Sequence, residues 1–405
     1  MKTNYSKSAA GTFKLNKCQP IHRWYSYIEG YSSCLIEDIV DEIGSDNIST
    51  IYDPFCGTGT TSLVAASRGI ASFYSETNPF MRDVIEAKIN DTKKLLESGT
   101  KTNNLSALLE EVKRRKQYAN SIKYEWSGFE KFFNDDVRMA IESIITSINL
   151  MENDESRRIA NVALGAIAVR VSNMVRQGDL RKARSGEKEA EDFDVYANFI
   201  QKLTDIINDI NDHGSDIKAN TVLAAPDARD IELRDCVDCV ITSPPYLNGT
   251  NYIRNTKLEL KTSGHIDLEK DLPAFHSKGI IAGINNVSRR NNANLDTTKY
   301  ALEYLKELIP VAYDQRIPLM VAGYFRDMEN VIKKLSIAVK DGGYFVMDIG
   351  DSQFAGVHIP THSILADICA DYGFQLYDDE TLRERRSKNG MVLSQRLLKF
   401  RKASK

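Results

Sequence analysis

Asp238-Cys239-Val240-Ile241-Thr242-Ser243-Pro244-Pro245-Tyr246 is the stretch on which the reading of this chain turns. The β-branched run Val240, Ile241, Thr242 predicts a buried parallel strand that stops at two prolines. Proline has no N–H for a sheet ladder and a fixed φ, so the chain leaves the sheet's carboxyl edge in a stiff, extended turn. In open α/β sheets that edge is where ligands bind. The Ser243 hydroxyl, backbone carbonyls lacking a neighbouring N–H, and the Tyr246 ring form a clamp for a planar ring bearing an amino group. An ordinary strand-ending Pro-Pro turn looks the same in one sequence, so a second motif has to decide.

That second motif lies upstream. Ser49-Thr50-Ile51-Tyr52-Asp53 reads as a strand, Pro54-Phe55-Cys56-Gly57-Thr58-Gly59-Thr60-Thr61 as a tight loop, and Ser62 to about Ser67 as a helix ending near Gly69. A strand, a Gly-x-Gly turn and a helix open a Rossmann-like βαβ unit. Its glycines admit close approach of a ligand to backbone, and the helix N–H groups face that ligand. The spacing excludes both G-x-G-x-x-G and the phosphate-binding P-loop. A carboxylate at the strand end, Asp53, repels phosphate and suits an ammonium, so the expected ligand carries an α-amino group. The next strand, Ile70 to Ser75, runs into Glu76-Thr77-Asn78-Pro79, with Glu76 placed to accept two ribose hydroxyls.

The two motifs together resemble those of the S-adenosylmethionine-dependent amino-methyltransferases of DNA, which methylate cytosine N4 or adenine N6. Ser-Pro-Pro-Tyr is similar to the N4-cytosine branch, while an aspartate in place of the serine is the commoner adenine form. The resemblance covers most of the chain. It implies an α/β Rossmann-like methyltransferase fold: a seven-stranded, mostly parallel sheet with an antiparallel C-terminal strand, plus a helical insertion. It implies S-adenosylmethionine as cofactor, held by Asp53, Phe55, Gly57, Gly59, Thr60, Glu76 and Asn78. Asp227, in Pro226-Asp227-Ala228-Arg229, matches the position that reaches the adenine amino group. The aromatic block His22 to Ser32, Trp24 included, matches the segment that precedes the first motif in bacterial members. Ser243, Pro244, Pro245 and Tyr246 are the implied catalytic residues. Leu247 to Leu260, Gly342-Gly343 leading to Asp348-Ile349-Gly350-Asp351-Ser352, and Arg383, Arg385 and Arg386 also resemble family segments.

Composition sets the bounds. The chain has 405 residues, 42% hydrophobic, enough for a substantial core in one large domain with an insertion. A formal charge of −3 gives no global pull toward nucleic acid, so a polyanion must be held by local basic patches. Six cysteines over this length form no disulfide framework, and the lone Cys236-x-x-Cys239 pair reads as core packing. No apolar run is long enough to span a bilayer and the start lacks a signal-peptide core, so a soluble, cytoplasmic protein is expected, without membrane or metal partners.

Three segments follow: residues 1–82 with the cofactor motif, 83–216 as a helical insertion, and 217–405 as the catalytic half with a polar loop over 250–294. The insertion is rich in helix formers, with Ile141, Ile144, Ile145 and Ile148 at helical spacing. Within it Ser172 to Asp179 leads into Arg181-Lys182-Ala183-Arg184. Arg176, Arg181 and Arg184, together with Arg289 and Arg290 in the long loop, are the expected DNA contacts. Helices are expected at Tyr300 to Ile309, Asp327 to Val339 and Ile364 to Tyr372. Gly343 to Ile349 reads as a central strand, and Phe374 to Tyr377 with Arg396 to Phe400 as a terminal antiparallel pair. His358 and His362 have no carboxylate or cysteine pattern beside them in sequence and read as non-metal.

The chemistry follows from the clamp. Accepting the amine's two N–H bonds at Ser243 Oγ and the Pro244 carbonyl pulls the nitrogen toward a tetrahedral shape and frees its lone pair, with Tyr246 stacked on a base flipped out of the duplex. The expected activity is site-specific transfer of a methyl group to cytosine N4 in DNA. Methylation of adenine N6, or of an RNA base, is the alternative. Carbon-5 methylation needs a Pro-Cys nucleophile that the chain does not contain. A cognate restriction or defence partner belongs to the same expectation.

Overall fold

The computed structural model describes residues 6–27, 30–99, 101–115, 125–248, 252–276, 278–287, 295–387 and 389–404. Eleven strands occur among them. They are β1 Thr50–Asp53, β2 Ala71–Ser75, β3 Met174–Gln177, β4 Asp179–Lys182, β5 Thr221–Ala225 and β6 Val237–Thr242, then β7 Val339–Gly350, β8 Ser352–Phe354, β9 Val357–Ile359, β10 Phe374–Arg386 and β11 Val392–Lys402. Seven of them form one sheet in the order β10-β11-β7-β6-β1-β2-β5. β5, β2, β1, β6 and β7 pair in parallel, whereas β11 runs antiparallel to both β7 and β10. This is the expected Rossmann-like α/β fold. The order of strands reverses between β1 and β6, which opens a crevice above their carboxyl ends.

Alternation along the strands builds the layers. Ile51, Cys239, Ile241 and Val346 face one side, where they bury against Ile36 and Val40 of the helix Ser33–Ile43 and Val64 of the helix Thr60–Ser67. Tyr52, Val240, Phe345 and Met347 face the other, against the helices Arg316–Ala338 and Thr361–Asp371. Near-continuous burial of Val240, Ile241 and Thr242 is what a parallel strand covered on both faces requires.

The chain between β2 and β5 carries the helices Asp135–Asn149, Asp154–Val171 and Val195–His213, and the β3–β4 hairpin that the strand-poor composition concealed. Gly178, at φ 77°, makes the hairpin's turn. The helix expected from Asp327 begins instead at Arg316, because Pro318 sits in its first turn, where a missing N–H costs nothing. β10 and β11 extend well beyond the apolar ends expected for them. β10 is an edge strand, and its charged residues from Asp378 to Arg386 mask its strand character. Helices Tyr252–Asn255, Lys257–Thr262 and Leu272–His276 occupy part of the stretch read as an irregular loop. Among the described residues no helix is long and apolar enough to cross a membrane.

A close approach docks the inserted helices on the sheet. A Cβ placed on Gly165, in the helix Asp154–Val171, would lie 2.3 Å from Phe80 Cε2. That ring is fully buried and packs edge-on against Tyr25, so it has nowhere to move. Gly165→Ala is therefore expected to destabilise the fold by about 1–3 kcal/mol through overpacking, read as a lower urea midpoint with unchanged slope. A midpoint equal to the parent's would refute the contact.

Candidate active site

The carboxyl ends of β1, β2 and β6 open into one pocket with some 1160 Å³ of empty space, continuous with solvent. Its walls combine the Pro54–Thr58 loop and Thr60, the turn after β2 (Glu76, Asn78), Asp227 after β5, and Ser243, Pro244, Pro245 and Tyr246 after β6. Both motifs read from the sequence therefore face a single cavity.

Asp53 does not line this pocket. It is 1% exposed and lies behind the pocket wall. Thr242 Oγ1 donates to its Oδ1 at 2.7 Å, the Phe55 N–H to the same oxygen at 3.1 Å, and the Tyr31 hydroxyl to Oδ2 at 3.0 Å. Burial raises its pKa, and these donors oppose the shift. The carboxylate thus ties β1 to β6 and to the aromatic block. Gly59 is likewise structural: at φ 82° it precedes the helix Thr60–Ser67, with Ile85 packed where a side chain would stand.

Glu76 does face the pocket. Its Oε2 accepts the Gly57 N–H at 2.9 Å and its Oε1 the Asn78 N–H at 2.8 Å. Burial pushes its pKa up to about 7. A carboxylate offers two acceptor sites per oxygen, so each oxygen retains one for a ligand hydroxyl. Asn78 is spent on structure, capping the helix Pro79–Glu86 through Phe80 N and donating to Thr256 Oγ1 at 2.7 Å. Asp227 is clasped by Arg229, whose guanidinium donates to both its oxygens and also bridges to Asp327.

On the opposite wall the Tyr246 hydroxyl donates to Asp348 Oδ1 at 3.0 Å, and the Tyr246 N–H to the Tyr252 hydroxyl at 3.3 Å. Gly350 lies against the Tyr246 ring, where a Cβ would come within 3.1 Å of it. The aromatic side chain is thus fixed at both its ring and its hydroxyl.

Three expectations are corrected. Trp24 is not at the pocket: it is 1% exposed, and its Nε1 donates to Asp209 at 3.0 Å, beside Arg23 and the Ile21 N–H on the same carboxylate. The aromatic block instead contributes Tyr27 and Tyr31 to the wall. Glycine at position 57 was the available signal for Tyr27, because its φ of 55° and the Tyr27 ring 3.1 Å from a Cβ there leave room for nothing larger. Arg176 is not a surface cation either. It is half-buried against the buried Glu259 and bonds the Tyr25 hydroxyl and the Asn255 carbonyl, a pairing that its distance in sequence from Glu259 concealed. His358 and His362 do meet a carboxylate, Asp351, at 3.3 and 2.5 Å, though no group suited to a metal ion forms among the described residues. Arg181 is half-buried and paired with both oxygens of Glu187, and Arg184 is exposed. Arg289 and Arg290 lie outside the described residues.

No family model matches the chain. It is similar along most of its length to three curated proteins. The Type II methyltransferase M.AvaI of Nostoc sp. (strain PCC 7120 / SAG 25.82 / UTEX 2576) is 25% identical over 403 residues, covering 90% of this chain and 81% of that protein. The Type II methyltransferase M.BsoBI of Geobacillus stearothermophilus is 24% identical over 434 residues, covering 94% and 84%. The Type II methyltransferase M.MvaI of Kocuria varians is 20% identical over 407 residues, covering 92% and 86%.

The position of Asp53 has a consequence that can be measured without ligand. Asp53→Ala leaves Thr242, Tyr31 and the Phe55 N–H without their acceptor, at about 1–3 kcal/mol for each buried group that stays unpaired. The ligand-free protein is expected to melt at a clearly lower temperature. If calorimetry finds the same melting temperature as the parent, the carboxylate is not the tie described.

Proposed function

We propose that this chain, similar over nine-tenths of its length to Type II methyltransferases, transfers a methyl group from S-adenosylmethionine to the N4 amino group of a flipped-out cytosine in DNA. The observation that carries the reading is the sharing of one cavity by the Glu76 wall and the Ser243–Tyr246 clamp.

The donor set fits the cofactor. Glu76 retains acceptor sites for ribose hydroxyls, and Asp227 lines the same pocket on the adenine side, with both its oxygens already accepting from Arg229. Phe55 and Thr60 complete that wall, and Asp53 acts on it from behind through Tyr31. Bound there, the cofactor supplies an activated methyl group, and the protein's task is orientation. Ser243 Oγ and the Pro244 carbonyl accept the two N–H bonds of the amine, and the anchored Tyr246 ring receives the base by stacking. Serine is a neutral acceptor beside cytosine N3, and this favours cytosine over adenine. An RNA base would meet the same clamp, so duplex DNA against tRNA is the competition that separates those substrates.

The basic contacts are proposed on the β3–β4 hairpin's exit, where Arg184 is exposed and Arg181 is held by Glu187. A cognate restriction partner and a cytoplasmic setting belong to the same proposal.

Two measurements test it. Ser243→Ala is expected to leave cofactor affinity unchanged and lower turnover by about 10²–10³, the usual loss for one transition-state hydrogen bond. Digestion of methylated DNA should release N4-methylcytosine, and N6-methyladenine alone would reassign the base while leaving the pocket intact. Replacing Arg181 and Arg184 by Ala should weaken DNA binding and flatten its dependence on salt, with cofactor affinity preserved. An unchanged salt slope would remove them from the interface.

A further inference from the structure

The hairpin of β10 and β11 continues past the sheet it edges. β7 ends at Gly350, which pairs with Gln395 of β11, and Gln395 pairs in turn with Arg383 of β10. Beyond that level β10 and β11 stay paired without β7, through Glu384 with Ser394, Arg385 with Leu393 and Arg386 with Val392. These further pairs carry the arm about 10 Å past Gly350. β7 runs parallel to β6, and β6 leads directly into Ser243–Tyr246, so the arm extends on the clamp's side of the sheet.

Register also fixes the face. Cross-strand partners lie on one side of a sheet. A Cβ on Gly350 would meet the Tyr246 ring at 3.1 Å, so Gly350, Gln395 and Arg383 form a row on the ring's side. Arg383 is two strand spacings from Gly350, about 10 Å, and Arg385 follows on the same face farther out. Hydrogen bonds hold the row. The Tyr246 hydroxyl and Gln395 Nε2 both donate to Asp348, and the Asp351 N–H donates to the Ser394 carbonyl at 2.9 Å. The tip is closed as well: the Ser387 N–H donates to the Met391 carbonyl at 2.9 Å, and the Arg386 guanidinium to the Gly390 carbonyl at 3.3 Å.

The charge on this arm is not neutralised within the protein. Arg383 and Arg385 are exposed, and among the described residues neither has a carboxylate in contact. Other arginines near the surface do: Arg396 meets Asp379 on the neighbouring strand, Arg316 meets Asp314 and Arg181 meets Glu187. Two free guanidinium forks, one beyond the other along a strand, match successive phosphates, which such forks bind bidentately. An acidic protein would satisfy the charge equally. Position decides for DNA, because a duplex that delivers a flipped base to Tyr246 must lie across the pocket mouth beside the arm.

We propose that the β10–β11 arm is a phosphate-binding surface, on which Arg383 and Arg385 hold the DNA backbone beside the flipped nucleotide. This rests on the reading, given above, that the chain acts on duplex DNA. Phosphate contacts set the register and orientation of a duplex without reading its sequence, so they act alike on every duplex. The arm is paired and closed before any partner arrives, which lowers the cost of ordering it on binding.

The test titrates the full chain against two labelled duplexes of unrelated sequence, by fluorescence anisotropy over a range of salt. Arg383→Gln and Arg385→Gln should each lower the slope of log affinity against log salt by about 1, and the double variant by about 2. The loss should be equal on both duplexes, with S-adenosylmethionine affinity by calorimetry preserved. Arg383→Lys with Arg385→Lys keeps both charges and should keep the parental slope. Arg396→Gln removes an arginine already paired with Asp379 and should also leave the slope alone. Melting temperatures report folding, and if the double variant melts early the single and lysine variants carry the test. Parental slopes in both glutamine variants, an equal loss in Arg396→Gln, a loss on one duplex only, or a loss with tRNA but not with DNA would each overturn the arm's assignment. The two readings fail differently. A parent that binds no duplex at low salt sinks the DNA reading and the arm with it, whereas a parent that binds duplex with a slope its variants share sinks the arm alone.

Discussion

The pocket exists because one buried carboxylate is satisfied. Asp53 ends β1, at the point where strand order reverses, and both the Pro54–Thr58 loop and the Ser243–Tyr246 clamp start within a residue of it or of its partner Thr242. A desolvated acid there would be costly alone. Thr242 supplies a donor from the last position of β6, one residue before the clamp, and Phe55 supplies one from the loop that opens the cofactor wall. Tyr31 supplies the third and also lies 2.5 Å from Thr61, in the first turn of the following helix. Cofactor loop, clamp and aromatic block are thereby referred to a single atom group, so none can shift without breaking a buried hydrogen bond.

The two working walls share an electrostatic design. Glu76 and Asp348 are both carboxyl groups held by neutral donors, and burial pushes each up to about 7. Neither has a cation in direct contact among its hydrogen-bond partners. Asp227 contrasts with them, since Arg229 neutralises it at close range. A pocket with one such acid, Glu76, on its wall and another, Asp348, buried behind Tyr246 can admit a positively charged ligand without presenting a fixed array of negative charge to a polyanionic partner. That balance suits a site where a cation and a nucleic acid must meet.

What the sequence made legible was local. Val240 to Thr242 before two prolines, and Asp53 before Gly57 and Gly59, place two strands and their loops at one sheet edge because strand period and turn chemistry are written in adjacent residues. Roles that depend on distant partners were not legible. Trp24 and Tyr31 sit seven residues apart in one aromatic block, yet one closes on Asp209 and the other on Asp53. Arg176 looks like a solvated cation until Glu259 arrives from 83 residues away. Asp351 reaches His358 and His362 only because β8 and β9 fold back as a hairpin. β10 was legible only at its start, Phe374 to Tyr377, since an edge strand with charged residues has no need of an apolar face.

Those long-range contacts also decide how the chain between β2 and β5 relates to the site. It does not stand apart from the sheet: one hydrophobic cluster runs from Ile21 and Trp24 through Phe80, Phe129, Leu164 and Phe199 to Leu258. Two polar ties reinforce it at the pocket's edge. Asp209, in the helix Val195–His213, gathers Ile21, Arg23 and Trp24, while Arg176, in the β3–β4 hairpin, joins Tyr25 and Glu259. Both ties end on residues only a few positions before Tyr27, which packs on Gly57. A load applied to the hairpin is therefore carried to the cofactor wall through buried, hydrogen-bonded side chains rather than through a flexible linker. The hairpin and the cofactor loop are joined through one packed core.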